Sequence, residues 1–145
     1  MSTLRLPYAQ LSAEAYKGFN AAHTALARGP LDPKLLELVY LRVSQINGCA
    51  YCLHLHTQSL RQQGEEQARL DVVAAWRHTA CFSPSEQAAL AWAESITELG
   101  PHGGNDAAFT ALQAHFNDAE CTDLTFAVAL MNAYNRMAIS MRQQP

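Results

Sequence analysis

Long apolar runs are missing from this sequence of 145 residues. Its longest pieces, such as AALAWA at 88–93 and FAVALM at 126–131, fall well short of the roughly 18 residues that a membrane-spanning helix needs. The opening stretch, MSTLRLPYAQ, has no apolar core of the kind a secretory signal carries, so none is expected. A basic excess is missing too. Ten Lys and Arg stand against thirteen Asp and Glu, a net charge of -3, and the basic residues are scattered singly, which argues against nucleic acid as a partner. No run of alternating β-branched residues is bounded by turn residues, so no strand is expected. Repeats, linkers and low-complexity tracts are also lacking. Charged residues make up only 16% and hydrophobic residues 49%, which excludes a disordered chain. The length fits one domain over residues 1–145, enough to bury a core without staples. A cytoplasmic protein with no membrane partner is the expectation.

Cysteine is scarce as well, at four residues. In the cytoplasm structural disulfides are not expected. Cys81 and Cys121 stand alone and read as buried or half-buried small hydrophobes. Cys49 and Cys52 are different, because an intracellular C-x-x-C pair is more often catalytic or metal-binding.

What the chain does have is helix signals. A helix is expected from Ser12, with Glu14 in its first turn, to a stop at Gly29-Pro30. Asp32 is a natural N-cap, and Pro33 stands at the first helical position, where its missing N–H costs nothing. Leu35, Leu38, Val39 and Ile46 continue at helical spacing to Asn47-Gly48, two residues that tolerate a left-handed cap. The next helix is expected from about Cys49 to Gly64, then a short one over about Glu66 to Trp76. Ser83, Pro84 and Glu86 form a capping-box pattern for a helix closed by Gly100. DAAFTALQAHF and CTDLTFAVALMNAYNRMAISM are the last two helices. The final one is apolar on much of its surface and belongs to a core or an interface. The fold class is therefore all-α, with six or seven helices.

The chemistry concentrates in NGCAYCLHLHT, residues 47–57. Covalent haem attachment requires C-x-x-C-H, and Leu53 follows Cys52. A structural zinc site needs four ligands, and no second knuckle exists. A thioredoxin-type site needs a βαβ setting. A redox dithiol remains. Helix N–H groups and the helix dipole favour a thiolate at the start of a helix, and the thiolate is the reactive form of cysteine. Cys49 and Cys52, three apart, share a face and can close a disulfide. His56 lies one turn further on that face, placed to take the Cys52 proton directly or through a water. His54 points elsewhere. His23, His78, His102 and His115 are isolated and read as plain polar residues.

Two helices joined by a tight Asn-Gly turn run roughly antiparallel. Glu37 then lies about 15 Å down one helix and His56 about 10 Å down the other. Glu37 is either a solvated surface charge or the carboxylate that orients His56.

Glu37, eleven residues, Cys49-x-x-Cys52, three residues and His56 together resemble the signature of the alkylhydroperoxidase D-like proteins of the carboxymuconolactone decarboxylase superfamily. LELVYLRVSQINGCAYCLHLHT resembles that family's core, and WRHTACFSPSEQAALAWAESIT and NAYNRMAIS resemble its flanking segments. Roughly residues 15 to 141 are covered. The resemblance implies an all-α subunit that assembles as a trimer or hexamer, and thiol peroxidase activity on organic hydroperoxides with no bound cofactor. It implies Cys52 as the attacking thiol, Cys49 as the resolving one, and Glu37 with His56 as a proton relay. Spacing alone leaves open which cysteine attacks. The reductant implied is an external dithiol on a lipoyl-bearing or thioredoxin-like partner.

One position departs from the family pattern. Well-studied members have a second histidine just before the attacking cysteine, and here that residue is Tyr51. A phenol can donate or relay a proton but is a poor base at neutral pH, so the relay is shortened or rebuilt. A disulfide reductase or redox sensor is the second reading. A helical assembly module, with thiols that are incidental or bind metal, is the third.

Overall fold

Helices supply all the regular structure in the computed structural model, which describes residues 3–145. In chain order they are α1 (Tyr8–Leu11), α2 (Ala13–Ala27), α3 (Pro33–Asn47), α4 (Ala50–Gln62), α5 (Gln67–Asp71), a 3₁₀ helix (Val73–His78), α6 (Pro84–Thr97), α7 (Asp106–Gln113) and α8 (Asp118–Met141). The all-α expectation holds. The count is higher than six or seven because two short pieces were not anticipated. The turn α1 precedes Ser12, and the segment expected as one helix over Glu66 to Trp76 breaks after Asp71 into α5 and the 3₁₀ helix, which continues to His78.

The strong end signals act where they stand. The Lys34 N–H donates to the Asp32 side chain with Pro33 at the start of α3, and Ser83 and Glu86 close the capping box of α6. That helix ends at Thr97 rather than at Gly100. The last helix starts three residues before Cys121, because Asn117 and Glu120 form a second capping box. Each such cap satisfies backbone N–H groups that a helix end otherwise leaves unpaired.

The central element is α3, which packs against α4, α6 and α8. Its residues Leu35, Leu36, Leu38, Val39, Tyr40, Leu41, Val43 and Ser44 are all buried, as expected of a helix with neighbours on most sides. One face joins Ala89, Ala93, Leu124, Val128 and Met131 in the larger core. The other carries Leu38 and Leu41 into a second core with Leu60, Val73, Trp76 and Leu90. Ion pairs pin the periphery. Arg69 bridges Glu65 and Glu86, and Glu94 accepts from Arg42, Trp76 and Arg77.

A buried amide chain fastens the end of α3 to α8. The Asn47 Nδ2 donates to Asn132 Oδ1 and Asn135 Oδ1 at 2.9 and 3.0 Å. Asn135, fully buried, donates to Ser44 Oγ at 3.1 Å, and Ser44 donates to the Tyr40 carbonyl at 2.8 Å. Buried polar groups are costly unless paired, so this chain holds the turn after α3 in one place. Among the described residues no helix is long and apolar enough to cross a membrane.

Candidate active site

The turn itself builds the first half of the site. Gly48 adopts φ 69°, a left-handed conformation that costs a residue without a Cβ little. The Gly48 N–H donates to the Gln45 carbonyl and the Cys49 N–H to the Ser44 carbonyl, the bond pair that ends many helices. Cys49 thereby finishes α3 and also becomes the N-cap of α4, where its Sγ accepts from the Cys52 N–H at 3.4 Å. Cys49 and Cys52 are joined as a disulfide, with Cα atoms 5.3 Å apart. Only 1% of Cys49 and 3% of Cys52 is exposed. Ala138 of α8 and the half-buried Tyr51 pack over the pair.

The second half comes from one turn into α4. His56 is buried, and its Nδ1 lies 2.8 Å from Glu37 Oε2. The two side chains are 5% and 15% exposed, so Glu37 is not a solvated surface charge. A carboxylate only accepts. The proton therefore sits on Nδ1, and Nε2 is the nitrogen with a free lone pair. The packing of α3 on α4 covers the lengthwise offset between the two residues.

A cavity of about 170 Å³ opens over Cys52 and His56. From α4 it is also lined by Tyr51 and Leu55, and from α8 by Met131, Tyr134 and Ala138. Cys52 reaches the cavity wall and Cys49 does not. A stripe from α2, Tyr16, Asn20 and His23, also lines it, together with Tyr8 of α1. The Tyr134 hydroxyl donates to Asn20 Oδ1 at 2.7 Å, tying α8 to α2. Burial, followed by Tyr16, pushes the Tyr134 phenol up to about 12. Burial also raises Tyr8, with Tyr16 and Tyr51 adding to the effect. These phenols stay protonated and act as donors.

Tyr40 packs against two imidazoles of the cavity lining. Its ring lies 5.4 Å from that of His56 and 5.7 Å, stacked, from that of His23. Tyr40 is 2% exposed, and its hydroxyl has no hydrogen-bond partner among the described residues. Burial and then the Glu37 carboxylate hold that phenol far above its ordinary range.

The five residues singled out from the sequence thus meet: Cys49, Cys52 and His56 on α4, Glu37 across on α3, and Tyr51 at the cavity wall. His54, His78, His102 and His115 are exposed. His23 was misread as an isolated polar residue, because its place beside Tyr40 depends on how α2 lies on the rest of the fold. Two signals were available. Tyr16, Asn20 and His23 recur at helical spacing, and Tyr40 follows Glu37 by one turn. Of the lone cysteines, Cys121 is buried, and burial followed by Asp118 and Glu120 raises its thiol. Cys81 is exposed rather than buried, since it lies in the loop before α6, next to Thr79. Among the described residues, no three His, Cys, Asp or Glu side chains gather as a metal-binding group.

Comparison with known proteins gives this arrangement a setting. The carboxymuconolactone decarboxylase family model matches residues 13–95. The uncharacterized protein YdfG of Bacillus subtilis is 30% identical over 137 residues, 94% of this chain and 93% of its own length. YnjA of Escherichia coli, also uncharacterized, is 33% identical over 114 residues, 79% of this chain and 62% of its own. A crystal structure from Agrobacterium tumefaciens superimposes with a TM-score of 0.94 at 33% identity over 99% of both chains. That protein is of unknown function and has been provisionally assigned to antioxidant defence as AhpD. An uncharacterized peroxidase-related protein from Ralstonia eutropha, described as an alkylhydroperoxidase AhpD core, gives a TM-score of 0.80 at 29% identity over 92% of this chain and 71% of its own.

Proposed function

The chain belongs to the carboxymuconolactone decarboxylase family, as an AhpD-like member, and from that premise we propose that it is a thiol peroxidase acting on organic hydroperoxides. The observation that carries the proposal is the 2.8 Å contact of Glu37 with His56, at the edge of the cavity that Cys52 lines. A dithiol with an oriented base beside it is the equipment that thiolate attack requires.

In the reduced protein, Nε2 of His56 takes the Cys52 thiol proton while Glu37 holds the ring through Nδ1. The Cys52 thiolate attacks the outer oxygen of the hydroperoxide. The S–O bond forms as the O–O bond breaks, leaving a sulfenic acid on Cys52 and an alkoxide. The alkoxide takes up the proton held by His56 and leaves as the alcohol. The Cys49 thiol then condenses with the sulfenic acid, releasing water and forming the Cys49–Cys52 disulfide. An external dithiol, on a lipoyl-bearing or thioredoxin-like partner, restores both thiols by exchange and becomes a disulfide itself. Cys52 lies on the cavity and Cys49 behind it, which suits Cys52 to the attack and Cys49 to the resolution.

The proposal includes self-assembly. Phe126 and Leu11 are 63% and 65% exposed, apolar surface of the kind that subunit contacts cover. A trimer or hexamer is expected by sedimentation. The activity test is turnover of tert-butyl hydroperoxide with a dithiol reductant, which Cys52→Ser should abolish. Full activity in Cys52→Ser would remove the attacking role from that thiol.

A further inference from the structure

We infer that His23 is a second catalytic histidine of the same pocket, donating a hydrogen bond to the leaving oxygen of the bound peroxide; this rests on the peroxidase reading above. As the O–O bond breaks, negative charge builds on the inner oxygen, inside a cavity walled largely by aromatic and aliphatic side chains. A donor fixed in advance at that point is worth far more in such a place than in water. His56 carries the Cys52 proton and hands it to that oxygen once the bond has broken. A second donor on the cavity wall holds the charge while it is still building.

Three polar side chains of α2 line the cavity: Tyr16, Asn20 and His23. The Asn20 carbonyl oxygen accepts from Tyr134, which leaves its amide N–H groups as neutral donors but gives them no ring packing to fix them. That bond also occupies the Tyr134 hydroxyl proton. Tyr16 is held edge-on by Tyr8 and Tyr134 at the cavity's outer end. His23 is half-buried, and among the described residues its ring nitrogens have no hydrogen-bond partner.

The ring of His23 is nonetheless held. It stacks on Tyr40 with the planes 29° apart, and the ring of the same buried phenol lies 5.4 Å from that of His56. One rigid side chain therefore sets the spacing between the two imidazoles, with the cavity spanning them. Preorganisation of this kind is what a transition-state donor needs and what a flexible surface histidine lacks. An imidazole carries an N–H in either tautomer, so His23 can donate without a change of charge. No atom is transferred to or from it in the step.

The test compares two reactions of the reduced protein by stopped flow. One is oxidation of Cys52 by tert-butyl hydroperoxide. The other is reaction with dithiodipyridine, whose thiolate leaves without needing a proton. His23→Phe keeps a ring on Tyr40 but loses the donor, and should slow the peroxide reaction on the order of a hundredfold while leaving the dithiodipyridine rate as in the parent. His23→Gln, which retains an N–H, should recover part of the peroxide rate. Should His23→Phe not fold, His23→Leu gives the same comparison. An unchanged peroxide rate in the donor-free variant overturns the assignment to His23 and leaves the peroxidase reading intact. An equal fall in both rates also overturns it, by marking His23 as a support for the dithiol. A parent protein that reacts with dithiodipyridine but not with peroxide overturns both.

Discussion

Glu37 Oε2 and His56 Nδ1 lie 2.8 Å apart although 19 positions separate them in the chain. The pair joins a helix that ends at Asn47 to one that begins at Ala50, and it is the only carboxylate contact that the His56 ring makes among the described residues. Its consequences are open to direct measurement.

Glu37→Gln keeps the size of the side chain but offers an amide N–H as readily as an oxygen. It can then hold His56 in the wrong tautomer, with Nε2 protonated and unable to accept from Cys52. The expected result is a fall in kcat/KM for hydroperoxide on the order of a hundredfold, with thermal stability close to the parent. A fall below threefold would leave the carboxylate without a part in the chemistry.

Tyr51→Phe removes only the hydroxyl of a residue on the cavity wall. A phenol is a poor base at neutral pH, so the peroxide rate should change by about threefold or less. A loss of a hundredfold, the scale of true acid–base catalysis, would instead identify Tyr51 as a proton carrier. Steady-state kinetics with a saturating dithiol would decide.

Acid should destabilise the fold through two glutamates. Burial opposes ionisation of Glu86 and Glu94. Hydrogen bonds from Arg69 and Ser83 to Glu86, and from Arg77, Trp76 and Arg42 to Glu94, outweigh it and hold both carboxyls below the ordinary value of 4.5. The unfolded chain then binds these protons more readily than the folded one. The stability they contribute is complete above about pH 4.5 and is lost as pH falls through the lower folded values. Calorimetry from pH 7 to 3 should show Tm steady at first and then falling below that point. The fall should shrink in Glu94→Gln. A Tm unchanged down to pH 3 would contradict the prediction.

Asn135→Ala should be among the more damaging single changes. The side chain is fully buried, accepts from Asn47 and donates to Ser44. Its removal leaves polar groups unpaired in the interior, at a cost of about 3 kcal/mol. Urea unfolding measures the loss. Because the chain of amides anchors the turn before Cys49, the variant's dithiol should also re-form its disulfide more slowly after reduction.

The parts of the fold that were legible rest on local signals. Asp32-Pro33, Asn47-Gly48 and Ser83-Pro84-x-Glu86 start or end helices through bonds within a single turn, and those bonds form wherever the rest of the chain lies. One local signal of equal strength was passed over. Asn117 followed by Glu120 marks the start of α8 as plainly as Ser83 and Glu86 mark that of α6. The break after Asp71 has no comparable marker, since neither Gly nor Pro stands there, and the 3₁₀ turn follows from burying Val73 and Trp76 against Leu38 and Leu41.

By itself the sequence placed the cysteine pair and His56 together. Cys49, Cys52 and His56 lie three and four residues apart, and helical periodicity alone brings such residues to one face. It also offered Glu37 as the partner of His56, without deciding between a buried carboxylate and a surface charge. Tertiary structure decided that, because the burial of Glu37 depends on how closely α3 and α4 pack. It likewise decided the far wall of the cavity. Tyr16, Asn20 and His23 share a stripe by periodicity, but only the docking of α2 onto α8 and Tyr40 turns that stripe toward Cys52. Contacts between residues far apart in the chain are set by the packing of whole helices, and no local rule of spacing contains them.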